Sequence, residues 1–162
     1  VDQQAADGGP EELLGRAGLR LLGGVMGAPF KPMLKPLATP WLRWICLLLI
    51  CAAYLQGGIN KLMDFQSAIG EMQHFGLSPA GPMAALVIAG ELGASLMILS
   101  GFYRWLGAGY LAVFTLMATL LANRYWEIAG PERFMAANGF YEHLGLAGAF
   151  LLVAWHDLRE EA

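Results

Sequence analysis

The residue with most chemical consequence in this sequence is Glu91. It is the one charged residue in the stretch 83–103. A carboxyl group in so apolar a run must be neutral, paired, or turned toward a wet cavity, because an isolated charge among apolar groups is expensive. Lys61 is the nearest candidate cation, with Arg124 second. Gln56 and Asn60 precede Lys61, Asn123 precedes Arg124, Trp126 follows it, and Glu142 and His143 open a later apolar stretch. Carboxyl, ammonium, amide and imidazole groups gathered at one level could hydrogen-bond a polar head group or relay protons. Two readings follow for these nine residues. One is a pocket for such a head group, a quinone among the candidates, with Trp126 either lining it or sitting as an interfacial aromatic. The other is an inter-helix hydrogen-bond network that only fixes packing.

The elements that must position them are membrane helices. Hydrophobic residues make up 57% of the 162 and charged residues only 14%, where soluble domains carry nearer a quarter. Residues 44–59 and 105–122 hold no charge, and 139–155 hold one, Glu142. Spans are expected at about 41–60, 82–101, 105–123 and 139–156, since a bilayer takes roughly 20 apolar residues per helix. The segment between spans one and two places Phe65, Ile69, Met72 and Phe75 on one helical face, which predicts a short interfacial helix ended by Gly76 and Pro79. Residues 124–138 form a second long loop. Trp41, Arg43, Trp44 and Trp155 are interfacial anchors. Small residues four apart, at Ala53 and Gly57, Gly90 and Ala94, and Gly145 and Ala149, suit close helix packing.

Residues 1–40 read as an arm: a disordered start, an amphipathic helix over 11–26, and a linker containing Pro29, Pro32, Pro36 and Pro40. Leu14, Arg16, Arg20 and Leu21 on that helix are the candidate partner-binding residues. Arg16, Arg20, Lys31, Lys35, Arg43, Arg104 and Arg159 fall on the N-terminal side of the spans and only Lys61, Arg124 and Arg133 on the other. Both termini are therefore expected in the cytoplasm, with residues 157–162 as a cytoplasmic tail. The acidic N-terminus argues against a cleaved secretory signal, and the first span is expected to direct insertion.

Cys46 and Cys51 lie five apart and point to different faces, poor geometry for pairing, and both read as small buried groups. Spans one to three lack the second histidine that bis-histidine haem would require. No phosphate loop, nucleophile motif or zinc-helix motif appears, and no basic cluster suits nucleic acid. No metal site is expected, and electrons would have to come from another subunit.

The stretches LQGGINKLMDF at 55–65, GELG at 90–93, SGFYRWLGAG at 100–109 and FYEHLGLAGAFLL at 140–152 resemble the DoxX family of small four-helix bacterial membrane proteins, over about residues 42–156. Gly58, Lys61, Glu91, Arg104 and His143 are the matching positions. The resemblance implies an inner-membrane protein working beside oxidoreductases, whose relatives include a membrane subunit of a thiosulfate:quinone oxidoreductase. The expected fold is an all-α membrane protein. A four-transmembrane-helix bundle over 41–156 follows the amphipathic arm 1–40, with a short interfacial helix between spans one and two. The expected function is that of a quinone-interacting or anchoring subunit of an oxidoreductase or electron-transfer complex, not an enzyme alone. Its partners would be lipids and a larger membrane complex, and no cofactor would be covalently bound. A purely structural accessory subunit is the alternative. A small-solute transporter is the weakest reading, since four spans would need to oligomerise and no internal repeat is evident.

Overall fold

The computed structural model describes residues 39–161. The arm helix, the proline-containing linker and Leu14, Arg16, Arg20 and Leu21 lie outside the described residues. The chain divides after Arg43 by compactness, and the bundle is residues 44–161. Every regular element among the described residues is helical: α1 Pro40–Met63, α2 Phe65–His74, α3 Ala80–Ser100, α4 Arg104–Ala122, a single 3₁₀ turn at Tyr125–Glu127, and α5 Glu132–Glu161. Among the described residues, three segments are long and apolar enough to cross a bilayer: α1, α3 and Arg104–Glu127. The fourth helix of the bundle, α5, is not among these three. It is the longest at 30 residues, but Glu142, His143 and His156 are spread along it.

Local chemistry explains the boundaries. Asp64 accepts a hydrogen bond from the Ser67 amide and so caps α2 at its start. Gly76, at φ +69°, ends it. There the Leu77 amide reaches the Met72 carbonyl and the Gly76 amide the Gln73 carbonyl, the double bond of a left-handed glycine stop. The helix expected between spans one and two therefore forms, and its Ala68 and Met72 are buried with Ala84 of α3. Helix α5 begins seven residues earlier than the expected span, behind Pro131, whose fixed φ suits a helix start. It also runs through residues 157–161, expected as a solvated tail.

Asp157 gives the reason for that extension. It is buried at 7% exposure. One carboxylate oxygen lies 3.1 Å from Arg104 Nη1, and the other accepts the Trp105 amide at 3.0 Å. Tyr103, before α4, offers no capping side chain, so the free amides of that helix start are met by a carboxylate from α5. Arg104 also donates from Nε to the Ile98 carbonyl at 3.0 Å. One ion pair thus ties the α3–α4 turn to the end of α5.

The core lies in the half of the bundle nearer that turn. Leu47, Cys51 and Tyr54 of α1 meet Ala94 and Ile98 of α3, Ala108, Leu111 and Ala112 of α4, and Phe150 and Ala154 of α5. Helices α3 and α4 approach closely here: a β-carbon on Gly107 would stand 2.8 Å from the Ala94 carbonyl oxygen. The expected small pair Gly90 and Ala94 does lie at this contact, with Gly90 against Tyr110. Gly145 instead faces open space, because that face of α5 points out of the bundle. Cys51 is buried as expected, but Cys46 is exposed, sharing the outer surface of α1 with Ile45 and Leu49.

Two outcomes test this account. Gly107→Ala should destabilise the bundle by about 1–3 kcal/mol, the usual cost of overpacking, while Gly109→Ala, which meets nothing within 4 Å, should not; thermal unfolding in detergent reads both. Asp157→Ala should cost about 3 kcal/mol by leaving Arg104 without its carboxylate, read in the same way.

Candidate functional site

Lys61 and Glu91 meet. Lys61 Nζ stands 3.3 Å from Oε1 and 3.4 Å from Oε2 of Glu91, with side-chain exposures of 17% and 8%. Helix α1 brings Lys61 to its last turn, and α3 presents Glu91 near its middle. The α2 helix adds Glu71, whose carboxylate lies 3.8 Å from the same ammonium. Gly57 matters to this arrangement through the space it leaves: its β-carbon would lie 3.6 Å from Lys61 Nζ and 3.7 Å from Glu91 Oε2. Any longer side chain would enter the ion pair.

The pair forms part of the wall of a cavity of about 440 Å³. Its other polar groups are Tyr54, Tyr110, Thr115, Glu71 and His143, and the remaining wall is mostly aliphatic and aromatic, including Phe75, Val87 and Phe114. The volume falls in the range of small-molecule sites, and so does the pattern of a few converging polar groups on an apolar lining. Thr115 donates its hydroxyl proton to the Leu111 carbonyl. Tyr54, 2.5 Å away, must then donate to Thr115 Oγ1, since a hydroxyl has one proton to give. This leaves the lone pairs of the Tyr54 oxygen as acceptors. His143 Nδ1 lies against the Gly139 carbonyl at 2.5 Å. A carbonyl only accepts, so in the neutral ring Nδ1 carries the proton and Nε2 is free to accept. Asn123 touches the same Nδ1 at 3.3 Å through its side-chain amide.

Of the nine residues singled out in the sequence, Lys61, Glu91 and His143 line this cavity. Asn123 stands behind His143. Arg124 lines a smaller neighbouring cavity of about 350 Å³ with His74 and Glu127, and there it bonds the Leu120 carbonyl and Glu127. Gln56, Asn60 and Glu142 are exposed outside the cavity wall, because their helix positions turn them away from the bundle axis. Trp126 does not line the cavity either. It is half exposed and packs edge-on against Tyr125 and Phe140. Sequence reasoning missed Glu71, Tyr54, Thr115 and Tyr110. Glu71 had a signal, since it sits in the same interfacial helix as the apolar face already identified. The three hydroxyl residues had none, being ordinary in membrane helices. Among the described residues no group of His, Cys, Asp and Glu is placed to hold a metal ion.

A family model described as DoxX matches residues 44–124. The chain belongs to the DoxX family. The match spans half the chain and includes Tyr54, Lys61, Glu71, Glu91 and Thr115, while His143 lies beyond it. The chain is also similar to the inner membrane protein YphA of Escherichia coli (strain K12). Identity is 27% over 118 residues, covering 72% of this chain and 84% of YphA. No solved structure matches. The fold and these likenesses make this a DoxX-family membrane protein.

The coupling of Lys61 and Glu91 can be measured directly. Replacing Lys61 alone by Met strands a carboxylate in the wall, and should cost about 3–5 kcal/mol. The double replacement Lys61→Met with Glu91→Leu should recover most of that loss. A double-mutant cycle on detergent unfolding gives the interaction energy, and additive losses would mean that the two side chains are not coupled.

Proposed function

We propose that this protein is a four-span subunit of a bacterial inner-membrane oxidoreductase or electron-transfer complex, and that its cavity holds a quinone head group. The cavity at the Lys61–Glu91 pair carries the reading. A quinone carbonyl there can accept from Lys61 Nζ, and a quinol hydroxyl can donate to Glu91, so both redox forms find partners. The cavity lies among helices able to span a bilayer, where a quinone is dissolved. The electrons would come from a partner subunit.

Helix α5 serves as the fourth span in this reading. It packs along α4, and a helix lying beside a bilayer-crossing helix for its length crosses as well. At about 1.5 Å per residue its 30 residues exceed a bilayer core. The excess of Lys and Arg on the N-terminal side supports cytoplasmic termini and a cavity near the outer face. The name of YphA supports the inner membrane. Residues 1–40, with Leu14, Arg16, Arg20 and Leu21, serve as the arm that docks on the partner complex.

A second reading, a purely structural accessory subunit, is favoured by one observation: Lys61 and Glu91 already satisfy each other without a guest. The test separates the two. The protein is purified in gentle detergent and its bound small molecules and proteins are identified by mass spectrometry. Quinone should accompany the wild type and fall about tenfold in Ala118→Trp, which fills the cavity. Equal quinone in both, or none in either, with partner proteins retained, would favour the structural subunit.

A further inference from the structure

The cavity wall is not closed. Among its lining residues, Leu86 of α3 is 63% exposed and Met117 of α4 is 60% exposed. Side chains that line an interior space and also face outward mark a breach. Leu121 of α4, also part of the lining, is exposed beside them. Leu86 stands six residues from the start of α3, about 9 Å along the helix axis. The breach therefore lies within the apolar length of the helices and opens sideways between them. The cause is the unequal packing of α3 and α4. Gly107 lets the two backbones touch at the Ala94 level, whereas toward the other end bulky Phe114, Met117 and Leu121 of α4 line the cavity.

Charge narrows what fits. One ammonium, Lys61, stands between two carboxylates, Glu71 and Glu91. Tyr54 and Tyr110 face the same cavity from α1 and α4, and His143 from α5. A phosphate or carboxylate head would meet more negative than positive formal charge, and like charges disfavour it. A neutral head that both accepts and donates hydrogen bonds matches the wall. Size narrows it further: about 440 Å³ suits a ring-sized head with the first part of a tail, and the rest of a long tail must leave the cavity.

We propose that the site takes a neutral, lipid-borne molecule with one apolar tail, its head against Lys61 and Glu91 and its tail leaving through the breach between Leu86 and the Met117–Leu121 edge of α4. The proposal rests on the reading that the cavity holds a quinone-like head, and it adds the route of entry and the single-tailed, uncharged class. The ligand arrives from the bilayer without crossing the polar surface at His74 and Arg124.

The test uses the full chain in lipid nanodiscs and a benzoquinone bearing a decyl tail with a diazirine at its far end. After illumination, the label should fall on Leu86, Met117 and Leu121, and a tail-less benzoquinone with the same ring should compete it away. Label on residues 71–77 of the α2 side would overturn the proposed exit while leaving the head-group reading intact. Absence of any competed label would overturn both. In a second measurement, Leu86→Trp with Met117→Trp, at positions too exposed to threaten folding, should weaken the tailed quinone about tenfold and leave the tail-less one nearly unchanged. Equal weakening of both compounds, or of neither, would overturn the exit.

Discussion

The Lys61–Glu91 pair is the constraint around which this bundle is arranged. A carboxyl group in the middle of α3 must be neutral, paired or turned to a wet cavity, and here pairing with Lys61 meets that requirement. That requirement fixes the rotation of α1, since Lys61 must face α3, and the depth of α1, since its last turn must reach the level of Glu91. It also governs Gly57, where a longer side chain would enter the pair. The interfacial helix α2 then brings Glu71 to the same ammonium. Three helices are registered by one nitrogen atom.

The two halves of the bundle solve different packing problems. Near the α3–α4 turn, small residues and a single buried ion pair draw the helices together, and the side chains of Ile98, Leu111 and Phe150 are fully buried. Toward the Lys61 end, larger side chains and charged groups keep the helices apart and leave a cavity. A bundle with touching backbones at both ends would have no place for the pair except in contact with lipid. The tight half supplies rigidity, and the open half supplies a volume with chemistry on its wall.

Much of this was legible in the residues. Stretches with no charge or a single one marked α1, α3 and α4 within a few residues, because hydrocarbon thickness sets helix length so strictly. Lys61 is the nearest candidate cation that the sequence offers Glu91, with Arg124 second, and the structure pairs Lys61 with it. The rest depended on rotation about helix axes, which hydropathy does not report. Gln56, Asn60 and Glu142 lie at the right level but face outward, and Trp126 belongs to an aromatic cluster with Tyr125 and Phe140. Asp157 falls in the stretch expected as a cytoplasmic tail, because nothing in the local sequence signals a partner 53 positions earlier. The lower hydropathy of α5 reflects exposed polar groups such as Glu142 and His156 together with the half-buried His143 and the buried Asp157.

That distance has a bearing on how the molecule is made. The α3–α4 turn is made before residue 157 exists, so until then Arg104 has the Ile98 carbonyl but no carboxylate, and the Trp105 amide lacks its acceptor. This contact can lock only once α5 has been made through residue 157. Helix α5 is thus the latch on the α3–α4 turn, and a chain halted upstream of Asp157 would present quality-control proteases with that turn unfastened.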